Sequence, residues 1–169
     1  MGGILSIILI SSVLLLSGCT ETPTGGVDFV FTDLDGNERH LSNFYGKIIV
    51  LDLMGANCQP CFYQIFELER IFENYSSDDV TIVSIDVWVK YGENRDLLQT
   101  YVDYLVNDYD LDVNWTFGLD DASGTIFDGY VSEGVPTLHI IDRNGNIYYT
   151  FSGYQGYQAL ASKIDELLS

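Results

Sequence analysis

The chain has 169 residues, of which 47% are hydrophobic and 14% aromatic, as expected for one globular domain with its own core and not for a disordered chain. Its formal net charge is −18, with only seven basic residues against 25 acidic ones. Nucleic acid is therefore excluded as a partner, because too few cations are present to neutralise phosphates. The acidic balance is typical of a solvated surface, and it leaves open an acidic docking face for a basic partner.

An almost wholly apolar run covers residues 4–16. It is too short for a comfortable membrane span but suits the hydrophobic region of a signal peptide. The run ends in Leu16-Ser17-Gly18-Cys19, which resembles the lipobox of prokaryotic lipoproteins, and the resemblance implies lipidation of Cys19. An uncleaved membrane anchor and a buried N-terminal helix are the alternatives.

This pattern predicts three segments: a lipoprotein signal peptide over residues 1–18, the lipidated cysteine and a polar tether over 19–26, and one folded domain over 27–169. Both membrane interpretations place the domain outside the cytoplasm, anchored to the cell membrane, where disulfides persist.

Hydrophobic periodicity predicts alternating strands and helices in the domain. Asp35-Gly36 and Asn144-Gly145 are typical hairpin turns. The predicted elements are a β-hairpin over about 28–40, a buried strand over 47–54, a helix over about 59–75, a buried strand over 80–88, a helix through 97–106, a short strand over 115–119, a short helix over 123–130, a hairpin of strands 137–142 and 147–153, and a closing helix through Leu160, Ile164 and Leu167. Helices that connect successive buried strands require a partly parallel sheet with both faces covered, and the last hairpin adds an antiparallel edge.

Two of the three cysteines, Cys58 and Cys61, lie where the strand over 47–54 gives way to a helix. The N–H groups and the dipole of a helix start favour a thiolate, and Pro60 fits the first turn. We expect Cys58 to be the more exposed thiol, with Cys61 one turn deeper. From these residues alone the pair could be half of a metal site, a structural staple or a redox centre.

Two stretches, VLDLMGANCQPC and EGVPTLHIIDRNGNIYYTFSG, resemble the thioredoxin superfamily. The upstream stretch FTDLDGNERHLSNFYGKIIVLDL resembles its membrane-anchored TlpA/ResA-type branch. The resemblance spans about residues 28–168. It implies an α/β, thioredoxin-like fold with a central mixed sheet flanked by helices and an N-terminal β-hairpin extension.

The resemblance also implies roles for single residues. Cys58 matches the attacking cysteine, Cys61 the resolving one, and Asp52 the buried acid of thioredoxin. A carboxyl in an apolar strand should have a raised pKa, which would let Asp52 exchange protons with Cys61 near neutral pH.

The Val-Pro-Thr motif supplies the remaining site residues. Pro136 matches the cis-proline that packs against the disulfide, a costly and deliberate feature. Val135 would offer backbone groups to an extended substrate, and Thr137 is assigned to the same substrate-binding segment.

The chain also departs from the family pattern. Asn57 stands where Trp usually precedes the first cysteine, and Gln64 stands where ResA-like members often carry Glu. Asp52 is therefore the better acid/base candidate.

The predicted function is extracytoplasmic thiol–disulfide exchange, as a reductant, with the Cys58–Cys61 pair as the redox group and no added cofactor or metal. The partners implied are disulfide-containing secreted proteins or apocytochromes, and a membrane thiol electron donor. A thiol peroxidase is one alternative, although Gly55 replaces the Thr or Ser expected three residues before a peroxide-reacting cysteine. A non-catalytic binding lipoprotein is another. Zinc is disfavoured because no second cysteine pair exists and His40 and His139 have no ligand-like neighbours.

Overall fold

The structure is a computed structural model that describes residues 25–169. The predicted signal peptide, the predicted lipidation of Cys19 and most of the predicted tether lie outside these residues. The strands are β1 (Val30–Asp33), β2 (Glu38–His40), β3 (Ile48–Met54), β4 (Val80–Asp86), β5 (Thr116–Leu119), β6 (Thr137–Ile141) and β7 (Ile147–Ser152). The helices are α1 (Gln59–Asn74), α2 (Arg95–Tyr109), α3 (Thr125–Tyr130) and α4 (Tyr157–Leu168), with short 3-10 helices at Leu41–Phe44 and Val89–Tyr91. Across this part of the chain, no helix combines the length and the apolar character needed to cross a membrane.

All seven strands form one sheet in the order β2-β1-β5-β4-β3-β6-β7. β3, β4 and β5 are parallel, whereas β6 and β7 are antiparallel at one side and β1 and β2 at the other. The predicted α/β class, a mixed sheet flanked by helices, is confirmed. β3 lies inside the sheet, between β4 and β6, and all seven of its residues are buried, as a strand covered on both faces requires.

The side chains of β3 alternate between two cores. Ile48, Val50 and Met54 pack on the face covered by α1, α2 and α4. Leu51 packs on the opposite face, with α3 and the segment before β3. Both crossover helices share one face because the connections from β3 to β4 and from β4 to β5 move in the same direction across the sheet, and such connections are right-handed.

The predicted N-terminal hairpin is present, and it extends the sheet beyond β5. Thr32 and Asp33 of β1 pair with Leu119 and Gly118 of β5. The buried ring of Phe31 lies over Gly118, where a Cβ would be only 2.4 Å from a ring atom. A residue without a side chain is therefore required at this strand contact.

Candidate active site

Cys58 and Cys61 form a disulfide at the junction between β3 and α1. Their Cα atoms are 5.2 Å apart, and Cys58 is the N-cap residue of the helix. The Cys61 backbone N–H lies 3.2 Å from the Cys58 sulfur and donates to it. Pro60 lies in the first turn, where its missing N–H leaves no bond unmade. The Cys58 sulfur therefore faces the positive end of the helix, the location that favours a thiolate.

Both sulfurs are buried, but not equally. Cys61 has no exposed surface, and Cys58 exposes 4% of its own. Cys58 is thus the more exposed of the two, as predicted. A reacting sulfur from another molecule reaches the pair at Cys58.

Aromatic side chains surround the approach to Cys58. On one side lies a shallow groove, and on the other an apolar depression. The groove is lined by Phe62, Tyr63, Tyr104 and Tyr109. The depression is lined by Trp88, Tyr91, Phe127 and Val135. Tyrosine and tryptophan are typical of binding surfaces because they offer large apolar faces with a polar end.

The loop before β6 lies against the disulfide. The Val135–Pro136 peptide bond is cis, the conformation that the resemblance implies. The Val135 carbonyl oxygen lies 3.8 Å from the Cys58 sulfur. Thr137 is fully buried, and its hydroxyl donates to the Gly134 carbonyl over 2.7 Å. The Thr137 side chain therefore holds the loop, and its backbone pairs within the sheet with Leu53 and Ser152.

Asp52 is completely buried in β3, on the face that carries α1. The Ser84 hydroxyl donates to one of its carboxyl oxygens over 3.1 Å, and the Trp115 indole N–H donates to Ser84 over the same distance. The other Asp52 oxygen has no donor among the described residues. Burial raises the pKa of Asp52 to about 7, against the smaller lowering effect of the Ser84 hydrogen bond.

A second acidic group at the site escaped the sequence analysis. Glu93, in the loop before α2, is 7% exposed, and its carboxyl accepts three hydrogen bonds from the two residues before Cys58. The Ala56 N–H donates over 2.7 Å, the Asn57 N–H over 3.0 Å and the Asn57 side-chain amide over 2.7 Å. Asp86, at the end of β4, is fully buried beside Glu93. Burial is the larger and the Glu93 carboxyl the smaller of two effects that raise the pKa of Asp86 to about 8.

Gln64 is a fully buried residue of α1, at the position where the family often has Glu. Its amide nitrogen donates to the Gln155 carbonyl over 3.0 Å, and its amide oxygen accepts the Gln155 N–H over 2.7 Å. Both ends of the amide are thus used to bind the loop between β7 and α4. A carboxylate could not make the first of these bonds.

His40 lies beside a single carboxyl group, that of Asp28. His139 bridges the Thr150 hydroxyl and the Tyr130 carbonyl, each at 2.9 Å, and burial lowers its pKa. Within residues 25–169 no group of three or more His, Cys, Asp or Glu side chains is arranged to hold a metal ion.

A thioredoxin-like fold with a disulfide at the N-terminus of the helix after β3 is the arrangement that defines the class of thiol–disulfide oxidoreductases. Residues 26–150 match the AhpC/TSA family, and the chain belongs to that family.

Curated relatives and solved structures agree with this class. The thiol-disulfide oxidoreductase ResA of Geobacillus kaustophilus is 25% identical over 126 residues, which cover 75% of this chain and 66% of the relative, just under two thirds of its length. ResA of Bacillus thuringiensis subsp. konkukian is 26% identical over 140 residues, 83% of this chain and 75% of the relative. The crystal structure of an exposed lipoprotein thioredoxin from Streptococcus pneumoniae superimposes with a TM-score of 0.67 at 24% identity, covering 83% of this chain and 100% of that one.

The raised pKa of Asp52 predicts a pH-dependent stability. The folded protein keeps this carboxyl protonated up to about pH 7, whereas the unfolded chain ionises it near the ordinary value of 3.8. Between these pH values the folded state holds the extra proton, so the contribution of Asp52 to the free energy of unfolding falls as pH rises. We expect the free energy of unfolding of Asp52→Asn to rise relative to that of the wild type by on the order of 4 kcal/mol between pH 4 and pH 8.

Denaturant unfolding at several pH values measures this gain. Asp78→Asn, which alters an exposed carboxyl after α1, is the matched control and should track the wild type. A constant difference between Asp52→Asn and the wild type would mean that Asp52 is already ionised in the folded protein.

Proposed function

We propose that the protein is an extracytoplasmic reductant of protein disulfides that works through Cys58 and Cys61. The observation that carries the proposal is a helix-capping sulfur at Cys58 that meets a backbone carbonyl, Val135, within an aromatic surface. The relatives named thiol-disulfide oxidoreductases support the reaction type.

The reaction begins with both cysteines reduced. The Cys58 thiolate attacks one sulfur of the substrate disulfide; that bond breaks, and the released substrate thiolate takes up a proton. The Cys61 thiol then loses its proton and attacks the Cys58 sulfur, which expels the second substrate thiolate. Two electrons have passed to the substrate, and the Cys58–Cys61 disulfide has formed. A membrane dithiol protein is the proposed electron donor that restores the thiols.

The substrate would lie as an extended chain along Val135. Its backbone would pair with the exposed backbone groups of the loop before β6, which brings its disulfide to Cys58. Large side chains on either side of that disulfide fit the aromatic groove and the apolar depression. Secreted proteins and apocytochromes with disulfides are the proposed substrates.

Asp52 is the proposed proton acceptor for Cys61. It lies on the α1 face of the sheet, and a pKa of about 7 suits proton exchange at neutral pH. Its oxygen without a donor remains available for this proton.

The geometry disfavours a thiol peroxidase. A Cβ at Gly55 would lie 2.6 Å from the Trp88 ring. The Thr or Ser hydroxyl expected at this position in a peroxidase therefore has no room.

Attachment to the membrane through a lipid on Cys19 completes the proposal. The motif Leu16-Ser17-Gly18-Cys19 after an apolar run supports it, as does the solved pneumococcal lipoprotein of similar fold.

Replacing the resolving thiol should trap the substrate. In Cys61→Ala the mixed disulfide at Cys58 has no intramolecular attacker, so acid-quenched cell extracts should contain at least about tenfold more reducible adducts than those of Cys58→Ala. Non-reducing electrophoresis and mass spectrometry measure them. Cytochrome precursors among the adducts would indicate a role in cytochrome maturation. A variety of secreted proteins would indicate a general reductant of secreted disulfides. If neither variant traps a protein and the wild type rapidly consumes peroxide with a thiol donor, the peroxidase alternative is correct.

The proposed role of Asp52 predicts a changed pH profile. Single-turnover oxidation of the reduced wild type by a disulfide peptide should accelerate as pH passes through about 7, where Asp52 ionises. Asp52→Asn should lose this inflection and react at least about tenfold more slowly at pH 7.5. An identical profile in the variant would limit Asp52 to a structural role.

Mass spectrometry of detergent-extracted protein tests lipidation. We expect a mature N-terminus at Cys19 that carries acyl chains, and Cys19→Ser should retain an unprocessed N-terminal segment. An unmodified Met1 in the membrane-extracted wild type would identify an uncleaved anchor instead.

A further inference from the structure

The backbone before Cys58 is held by a group outside the thioredoxin motifs. Ala56 and Asn57 leave β3 and approach α1 without strand or helix partners for their N–H groups. Both N–H groups point to the carboxyl of Glu93, at 2.7 and 3.0 Å. The loop that presents Cys58 is therefore closed by one side chain that lies 35 residues further along the chain.

Glu93 is itself supported by a second carboxyl. Asp86 accepts the Trp88 N–H through one oxygen, over 2.9 Å, and its other oxygen has no donor among the described residues. Burial and the neighbouring Glu93 carboxyl raise the pKa of Asp86, so that Asp86 is protonated at neutral pH. The two buried carboxyl groups therefore hold one proton and one negative charge between them, because otherwise two like charges would be adjacent in a buried setting.

Charged groups on the neighbouring elements are engaged elsewhere. Lys90, in the 3-10 helix after β4, pairs with Asp128 of α3. Asp120, after β5, directs its carboxyl to two N–H groups of α3. The first turn of α1 has no acidic residue. Asp52, on the α1 face of β3, is unchanged in all the variants below, and the pair of Asp86 and Glu93 supplies the negative charge that contacts the loop before Cys58.

We propose that the carboxyl pair of Glu93 and Asp86 sets the redox poise of Cys58 and Cys61: it holds one negative charge against the loop before Cys58 and so keeps the dithiol reducing. This inference rests on the proposed function and supplies its direction of electron flow. Glu93 and Asp86 are positioning residues, since neither touches the sulfurs.

The physical effect is electrostatic and has a definite sign. A negative charge close to Cys58 destabilises its thiolate and opposes the helix dipole, which raises the pKa of the thiol. Glu93 also occupies the Ala56 and Asn57 N–H groups, so they are not free to stabilise a thiolate. A reduced form with a less stable thiolate gives up its electrons more readily, the opposite of oxidants whose reduced form is stabilised.

The pair also predicts a response to alkaline pH. With the pKa of Asp86 raised to about 8, the shared proton leaves near that pH, and a second negative charge appears beside the loop. The Cys58 thiolate is then destabilised further.

Three variants separate the charge from the fold. Glu93→Gln removes the carboxylate that faces the loop. Asp86→Asn replaces the protonated partner by an amide that can still donate to Glu93, so it keeps the charge but cannot release the shared proton. Glu133→Gln is the matched control, an exposed carboxyl two residues from Val135 on the other side of the disulfide.

The measurements are the equilibrium of each full-length variant with dithiothreitol and the pKa of Cys58 from thiolate absorbance. We expect Glu93→Gln to shift the equilibrium toward the dithiol by about tenfold, equivalent to about 30 mV, and to lower the thiol pKa. At pH 7, Asp86→Asn and Glu133→Gln should match the wild type. Above pH 8 the wild type should become more reducing than Asp86→Asn.

The outcomes distinguish this inference from the proposed function. If every variant exchanges with disulfides but Glu93→Gln has the wild-type equilibrium and thiol pKa, the inference is wrong and the function stands. If the wild type does not exchange with disulfides, the proposed function fails. Should Glu93→Gln not fold, superimposed pH curves for the wild type and Asp86→Asn would overturn the inference.

Discussion

The N–H groups between β3 and the helix that follows it need hydrogen-bond acceptors, and the site is built around that need. β3 is buried on both faces, so the chain leaves it inside the protein, where an N–H group without a partner is costly. Two side chains supply the acceptors. The Cys58 sulfur takes the Cys61 N–H, and Glu93 takes those of Ala56 and Asn57. The reactive sulfur is therefore part of the hydrogen bonding that starts the helix.

Three buried carboxyl groups accompany this junction: Asp52 in β3, Asp86 at the end of β4 and Glu93 in the loop before α2. Asp52 is neutral at low pH and receives a single hydroxyl donor, whereas Glu93 receives three N–H donors, one of them from a side-chain amide, and raises the pKa of Asp86. The protein thus has one buried acid suited to moving a proton and a pair suited to holding a charge. The three carboxyl groups are all buried, but they differ in the hydrogen-bond donors that they meet, and this difference suits them to different tasks.

Much of the fold could be predicted because its patterns are local. The apolar run of β3, the turn at Asn144-Gly145 and the helical spacing of Ile65, Leu68 and Phe72 each specify an element without knowledge of the rest. The helix predicted through 97–106 begins earlier, at Arg95, because the Asn94 side chain accepts the Leu97 N–H. An Asn before the apolar pattern was the available signal.

The contacts of Glu93 could not be predicted in the same way. Its partners lie 36 and 37 residues earlier, and a glutamate before a helix is usually solvated. The pairing of β1 with β5 likewise depends on a contact between Phe31 and Gly118 that neither segment reveals by itself. Roles for Cys58, Cys61 and Asp52 could be predicted because the motif that contains them resembles the thioredoxin superfamily.

The slight exposure of Cys58 has a consequence for the choice of partner. Cys58 exposes only 4% of its surface, and its sulfur lies 3.8 Å from the Val135 carbonyl oxygen, so a disulfide held rigidly inside a folded protein reaches it poorly. A buried sulfur of this kind favours a disulfide on a flexible segment, which can bend toward Cys58, over a disulfide fixed in a rigid one.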